Sequence, residues 1–400
     1  MTSDPSISST ATRVAGTARG RSAIASGATW DAAVDEALQD LAGREPPDLA
    51  ILFVDAAFAS NYADVLRRVQ ERLGPAHLIG CSGQSVIGTG LEAEGSSAVT
   101  LMTFDLPNAA LTPIHIDPET DLGRLDVLDG AVTTWLLFAD PFSINTEHLV
   151  AALAERHSDV TLLGGMASAP NNAEGTAVFL DGESYPAGAV MLGLDGVEVH
   201  AIVAQGAEPL GQPWTITECE NNLVRTIGSR PAVEVLIETL GALDEPTRLR
   251  AQQNLLVGLA MDEYAESHQR GSYLIRNIMG TNRDEGWIAI NAVPRLGQTF
   301  QFQFRDAAAA DADLREQLSQ FTASRDADQV LGAICCSCNG RGVGLFETPH
   351  HDAAALVDAL GEIPTAGLFC NGEIGPVGGQ NFLHGFTASI ALFTAPSSDG

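Results

Sequence analysis

The sequence predicts an α/β protein with mixed sheets (α+β in character), made of internally duplicated strand-helix-strand units in two domains. Three observations predict it. Residues 49–54 form an apolar run of strand length that ends at Asp55. Tyr62, Val65, Leu66, Val69 and Leu73 then give one apolar face at helical spacing, and Pro75 follows as a stop. The same order returns further along, with a strand at 134–138 ending near Asp140, and a helix carrying Leu149, Val150 and Leu153 that Asn145 is placed to cap.

Each unit closes on a second short strand that enters a glycine turn. Residues 77–79 run into Gly80-Cys81-Ser82-Gly83, and 160–163 run into Gly164-Gly165-Met166-Ala167-Ser168. Gly80 follows Asp55 by 25 positions and Gly164 follows Asp140 by 24, which an internal duplication explains most simply. Strand-like segments come after each unit: 98–104 and 109–116 in the first, 176–180 and one long segment, 187–204, in the second. In parallel pairs the C-terminal strand ends usually face a ligand crevice.

Residues 1–29 read as a lead, Ser/Thr-rich and disordered over 1–12, and a first strand, with no signal-peptide pattern. A first domain is assigned to 30–228, because Arg230-Pro231-Ala232 opens a new helix, and a second domain to 229–395. In the second, 287–304 reads as a hairpin in which Phe300, Phe302 and Phe304 alternate with glutamines facing the other way. Residues 307–324 read as an exposed helix. A last strand-helix-strand unit follows: strand 330–336, a loop at 339–344, helix 352–360, strand 366–369, and a final strand at 387–393.

Composition narrows the function. Hydrophobic residues make up 45% of the chain and charged ones 18%, enough for a sizeable core. Apolar stretches are broken before about 18 residues, so no membrane helix is expected, and the protein is placed in the cytoplasm. The 51 acidic residues outweigh 21 basic ones for a net charge of -30, and every basic residue is arginine. Without lysine there is no Walker-A phosphate loop and no Schiff-base chemistry. So acidic a chain repels nucleic acid and anionic membrane surfaces.

Six cysteines do not make a disulfide framework, yet four fall between Cys335 and Cys370. Cys336, Cys338, Asn339 and Arg341 belong to one strand end; Cys370, Asn371 and Glu373 belong to another, with His384 shortly after. Parallel pairing would gather thiol, amide, guanidinium and carboxylate in one cleft suited to a small zwitterion. Arg341 would take a carboxylate, Glu373 an amine, and Asn339 and Asn371 would orient the ligand. The plainer alternative is that Arg341 pairs with Glu373 and the polar residues satisfy their own turns. A zinc site from Cys336, Cys338, His350, His351 and Cys370 lacks the usual C-x-x-C knuckle, so no metal is assigned. Thiol catalysis lacks a local signature, so the chain is not read as an enzyme. Gly88-Thr89-Gly90 opens no helix of a dinucleotide fold, and Gly80-Cys81-Ser82-Gly83 misses the G-x-S-x-G elbow by one position.

These residues carry a family resemblance. The stretch from Leu331 to Gly344, with Cys335-Cys336-Ser337-Cys338-Asn339-Gly340-Arg341, resembles the FIST C-terminal domain, as do Cys370-Asn371-Gly372-Glu373-Ile374-Gly375 and Asn381-Phe382-Leu383-His384. Asp48 to Asp55, Leu78-Ile79-Gly80-Cys81-Ser82-Gly83 and Leu162-Leu163-Gly164-Gly165 resemble the FIST N-terminal domain. The resemblance implies an intracellular sensor that binds a small metabolite such as an amino acid. It implies a separate signalling protein, such as a histidine kinase, as partner, since no output module is recognised in the chain. It also leaves two alternatives: a haem-binding nitric-oxide sensor, with His384, His350 or His351 as axial ligand, and a protein-interaction scaffold.

Overall fold

Strand Leu49–Asp55 is buried at every position, which is why it reads as an unbroken apolar run. It pairs in parallel with His77–Gly83 and antiparallel with Ala98–Asp105. The connecting helix, Tyr62–Leu73, buries the five predicted apolar residues and ends on Gly74 in the left-handed conformation (φ 57°). The computed structural model describes residues 8–13, 18–41, 43, 45–119, 132–157, 159–170, 175–263, 268, 271–325 and 327–395.

The same construction occurs twice more. Thr134–Ala139 pairs in parallel with Thr161–Met166 across helix Thr146–Arg156, where Asn145 accepts the His148 N–H at 2.9 Å. Val330–Cys338 pairs in parallel with Thr365–Cys370 across helix His351–Leu360. All three pairs share a constraint. Gly80 faces Leu52, Gly164 faces Leu137 and Gly367 faces Cys335. A Cβ at any of these glycines would fall on the carbonyl oxygen of that partner, so the strands approach as they do only because the side chain is missing.

The chain divides into two compact units. The first comprises 1–203, 315–383 and 387–400; the second comprises 204–314 and 384–386. Among the described residues the first unit is built on three mixed sheets, one around each parallel pair. One apolar cluster joins them: Phe53 and Phe104 from the first, Phe138 and Leu163 from the second, and Ile334, Leu368 and Phe393 from the third. Phe53 meets Phe138 edge-on at 5.3 Å, and Phe104 stacks on Phe393 at 4.6 Å.

The second unit is an antiparallel sheet that closes on itself. Strand Ala207–Glu220 pairs with Thr299–Arg305 along one part and with Leu223–Ile227 along another. Phe300, Phe302 and Phe304 fill its interior with Val257, Ile288 and Ile290.

Several expectations from the sequence are corrected. Residues 287–304 are not a hairpin: Trp287–Ile290 pairs with Tyr273–Asn282, whereas Thr299–Arg305 pairs with Leu255–Ala260. Closing the sheet separates the two strands, a non-local demand that no period reveals. Gln301 and Gln303 are buried as well, because the strand is covered on both faces. Residues 187–204 are two strands, Ala189–Asp195 and Glu198–Gln205, split near Gly196, which takes φ 76°. Helix Ala307–Ser324 is not exposed all round; Ala310, Leu314, Leu318 and Phe321 are buried at helical spacing. In the lead, Ser8–Arg13 is a strand paired with Arg19–Ser26, while residues 1–7 lie outside the described residues.

Candidate functional site

Strand alternation divides the Cys335-Cys336-Ser337-Cys338 run between two faces. Cys336 joins Ile334 in the apolar cluster between the sheets. Ser337 points the other way, its hydroxyl donating to Asp352 on helix His351–Leu360 at 2.7 Å. Two polar constellations result, one on each face.

On the inter-sheet face, Cys338 is paired with Cys370 at the common end of their strands. Each chain then turns. Arg341 N–H returns to the Cys338 carbonyl at 2.8 Å, and Asn339 N–H reaches the Cys370 carbonyl at 3.0 Å. The amide of Asn339 donates to the Asn371 side-chain oxygen at 2.8 Å, tying the two turns together at the surface. Beneath them Glu373, 0% exposed, accepts the Thr387 N–H on Oε2 at 3.1 Å. Cys370 Sγ lies 3.4 Å from Glu373 Oε1, and the Cys338 thiol also bonds this carboxyl.

The two earlier units deliver their strand ends to the same place. Gly165 pairs with Glu373, and Met166 N–H donates to Gly372 O at 2.8 Å. The Ser168 hydroxyl donates to Phe369 O and accepts the Gln84 N–H, at 2.5 and 2.7 Å. Asp55 and Asp140, the acidic residues at the other strand ends, are occupied locally. Asp55 accepts the Ala57 N–H, and Asp140 accepts the Thr176 and Ser143 hydroxyls.

Burial pushes Glu373 up to about 8, against the pull of hydrogen bonds from Thr387, Cys370 and Cys338. Burial likewise pushes the Cys81, Cys336 and Cys370 thiols well above their ordinary range, so they are thiols at neutral pH. A consequence for stability follows. The folded state keeps a proton on Glu373 that the unfolded chain releases near 4.5. The contribution is therefore present below that pH and lost as pH rises through about 8. Urea unfolding at pH 5.5 and pH 8 is expected to show lower stability at pH 8, and Glu373→Gln should flatten that difference.

On the helix face, Arg341 is 1% exposed and forms a two-pronged pair with Asp352, Nε to Oδ2 and Nη2 to Oδ1, both at 2.8 Å. Its carboxylate partner is thus Asp352, not Glu373. Nη1 is buried without a partner among the described residues. The guanidinium lies 5.2 Å over the Phe346 ring, which stacks on His351 at 3.3 Å. Burial alone would raise Asp352, but the Arg341 charge and bonds from Arg341, His351 and Ser337 hold it well below the usual carboxylate range. Glu92 caps the same helix, its Oε1 accepting the Asp352 and Ala353 N–H groups at 2.8 and 3.0 Å. Burial, and then the Asp352 charge, lift Glu92 to about 7.

Of the seven residues singled out, Cys336, Asn339, Arg341, Cys370, Asn371 and Glu373 fall in the first unit, and His384 falls in the second. Two of the three haem candidates form hydrogen bonds through Nδ1. His350 Nδ1 accepts the Glu92 N–H at 3.0 Å, which places the proton of a neutral ring on Nε2 and removes that lone pair from ligation. His351 Nδ1 is held by Asp352 at 2.9 Å. Among the described residues no three His, Cys, Asp or Glu side chains converge in a metal-holding arrangement. No helix there is long and apolar enough to cross a membrane.

Sequence reasoning missed Asp352 and Glu92. An acid in a helix's first turn ordinarily reads as an exposed partner of the helix dipole. Glu92 stands 260 positions from Asp352 in the chain, so no local pattern links them.

Comparison with known proteins agrees with this architecture. The chain matches the FIST N domain over residues 48–230 and the FIST C domain over residues 232–376. An uncharacterized protein of Mycobacterium tuberculosis strain H37Rv is 35% identical over 368 residues, covering 90% of this chain and 94% of that protein. An uncharacterized protein of Mycobacterium bovis is 34% identical, with the same coverage. An F-box/LRR-repeat protein of Arabidopsis thaliana is 26% identical over 142 residues, covering 32% of this chain and 27% of that protein. With both domains matched in order and a relative aligned along nearly its whole length, the chain belongs to the FIST family of sensory signalling domains.

Proposed function

We propose that this protein senses a small amine-bearing metabolite, such as an amino acid, and passes the signal to a separate partner protein such as a histidine kinase. The observation that carries the reading is Glu373. A carboxyl group fully buried where three strand ends converge costs folding energy that its bond to the Thr387 N–H offsets only in part, which is typical of a group kept for binding. Asn339 and Asn371 stand above it at the surface, and the Asn339 side-chain oxygen is buried without a partner among the described residues.

In this reading a ligand ammonium displaces the proton from Glu373, and the two amides orient the rest of the molecule. Arg341 holds its place through Asp352, which leaves only Nη1 for a ligand carboxylate. In the second unit Met279, Val293 and Leu296 are 65, 77 and 71% exposed, apolar surface of the sort a protein partner covers.

A thermal-shift and calorimetry screen of amino acids tests the proposal. A ligand at a hundred times its Kd should stabilise the protein by about 2.7 kcal/mol. Binding should release a proton at pH 7, and Glu373→Gln should abolish the release. Binding that survives both Glu373→Gln and Asn339→Ala would sink the site, and no response to any amine-bearing metabolite would sink the ligand class.

A further inference from the structure

We propose that Cys338 and Cys370 form a reversible dithiol–disulfide pair, oxidised by a hydroperoxide, with Glu373 as the acid–base group between them. The reaction uses the same Glu373 as the proposed metabolite site, but it needs no metabolite. Three geometric facts support it.

The two cysteines are direct partners in a parallel ladder, side by side at the last position of both strands. Adjacent strands lie about 4.8 Å apart, within the Cα separation that a disulfide spans. In-register neighbours point to the same face, and Ile334, Cys336, Ala366 and Leu368 mark it as the inter-sheet face.

Their environments differ in the way that a two-step reaction needs. Cys338 is half-buried, whereas Cys370 is fully buried. The Cys338 sulfur also accepts the Gly340 N–H at 3.4 Å, a bond that favours its thiolate. Among the described residues Cys370 has no such donor; its Sγ lies 3.4 Å from two acceptors, Glu373 Oε1 and Ser337 O. Cys338 is therefore the attacking thiol and Cys370 the resolving one.

The third fact is that one carboxyl group serves both sulfurs, because Glu373 bonds the Cys338 and Cys370 thiols. Gly165 lies over the pair, where a side chain would press on Cys370 Sγ, so that sulfur has room to turn toward its neighbour.

In the first step the Cys338 sulfur attacks the peroxide. The O–O bond breaks and an S–O bond forms, while the thiol proton passes through Glu373 to the departing alkoxide, giving a sulfenic acid and an alcohol. In the second, Cys370 attacks the sulfenic sulfur. The S–S bond forms, the S–O bond breaks, and water leaves with the Cys370 proton. Two thiols and one hydroperoxide yield one disulfide, one alcohol and one water.

The test uses the full chain with one equivalent of cumene hydroperoxide. The expected result is an intact-mass loss of two hydrogens, a linked peptide containing Cys338 and Cys370, and full reversal by dithiothreitol. Cys370→Ser should stop the reaction at a Cys338 sulfenic acid that dimedone traps. Glu373→Gln should slow disulfide formation by about tenfold or more and flatten its pH–rate profile. The wild-type protein alone can overturn the proposal. It fails if Cys338 ends as sulfinic acid while Cys370 remains alkylatable after unfolding. It also fails if Cys338 reacts no faster than the buried Cys335 and Cys336.

Discussion

Replacing Asp352 with alanine is expected to destabilise the protein by about 3–5 kcal/mol, the range for breaking a buried ion pair by removing one partner. The size follows from what is left behind. Arg341 is almost wholly enclosed, its Nε and Nη2 both bond Asp352, and Nη1 is already without a partner among the described residues. The substitution also frees the Ser337 hydroxyl and His351 Nδ1. Urea unfolding at neutral pH measures the loss. Arg341→Met together with Asp352→Leu should recover much of it, because neither charge then needs desolvating. A loss under about 1 kcal/mol for the single variant would mean that Arg341 has another anion in reach.

Asp352 also governs the acid side. Its folded proton affinity is depressed, so its contribution is present above the ordinary aspartate range and lost as pH falls through and below it. Glu92 and Glu373 act in the opposite sense, their contributions fading as pH rises toward about 7 and about 8. Maximum stability is thus expected on the mildly acidic side of neutrality.

The second large effect concerns Gly80. Gly80→Ala should abolish folding or cost more than about 4 kcal/mol, beyond what most single substitutions do. The new methyl would fall on the Leu52 carbonyl oxygen, within a strand pair buried on both sides. Backbone atoms on a central strand have nowhere to move, unlike the tip of a flexible side chain. Gly164→Ala meets Leu137 in the same way and adds the strain of φ 143°, while Gly182→Ala, with nothing within 4 Å, isolates the cost of φ 89° alone. Circular dichroism and denaturant midpoints of the three variants distinguish close approach from backbone strain. A Gly80→Ala protein as stable as the parent would refute the close approach.

Much of the first unit was legible because its determinants are local. Helix Tyr62–Leu73 buries the residues its spacing marks, and Asn145 caps the helix it precedes. The glycine turns were visible as motifs, but their cause was not. Gly80 and Gly164 look like turn residues in sequence, whereas the structure places them inside strands, where a partner backbone comes too close for a side chain. Residues 287–304 were misread for the opposite reason. Two strands joined by a short link make a hairpin unless a distant strand claims one of them, and Leu255–Ala260 does.

The sequence by itself determined the mixed α/β class, the strand-helix-strand units, the family and the two turns that carry Cys338 to Arg341 and Cys370 to Glu373. These rest on local periodicity, caps and short motifs, which need no knowledge of the rest of the chain. Only the tertiary structure decided the partners. Arg341 could have met Glu373, but the two-residue alternation of the Val330–Cys338 strand sends Ser337 toward helix His351–Leu360 and Cys336 toward the apolar cluster. Arg341 falls to Asp352, and Glu373 is left with two thiols and a backbone N–H. Which charge meets which is fixed by face and register across separations of up to 260 residues, and such contacts leave no mark on the sequence around them.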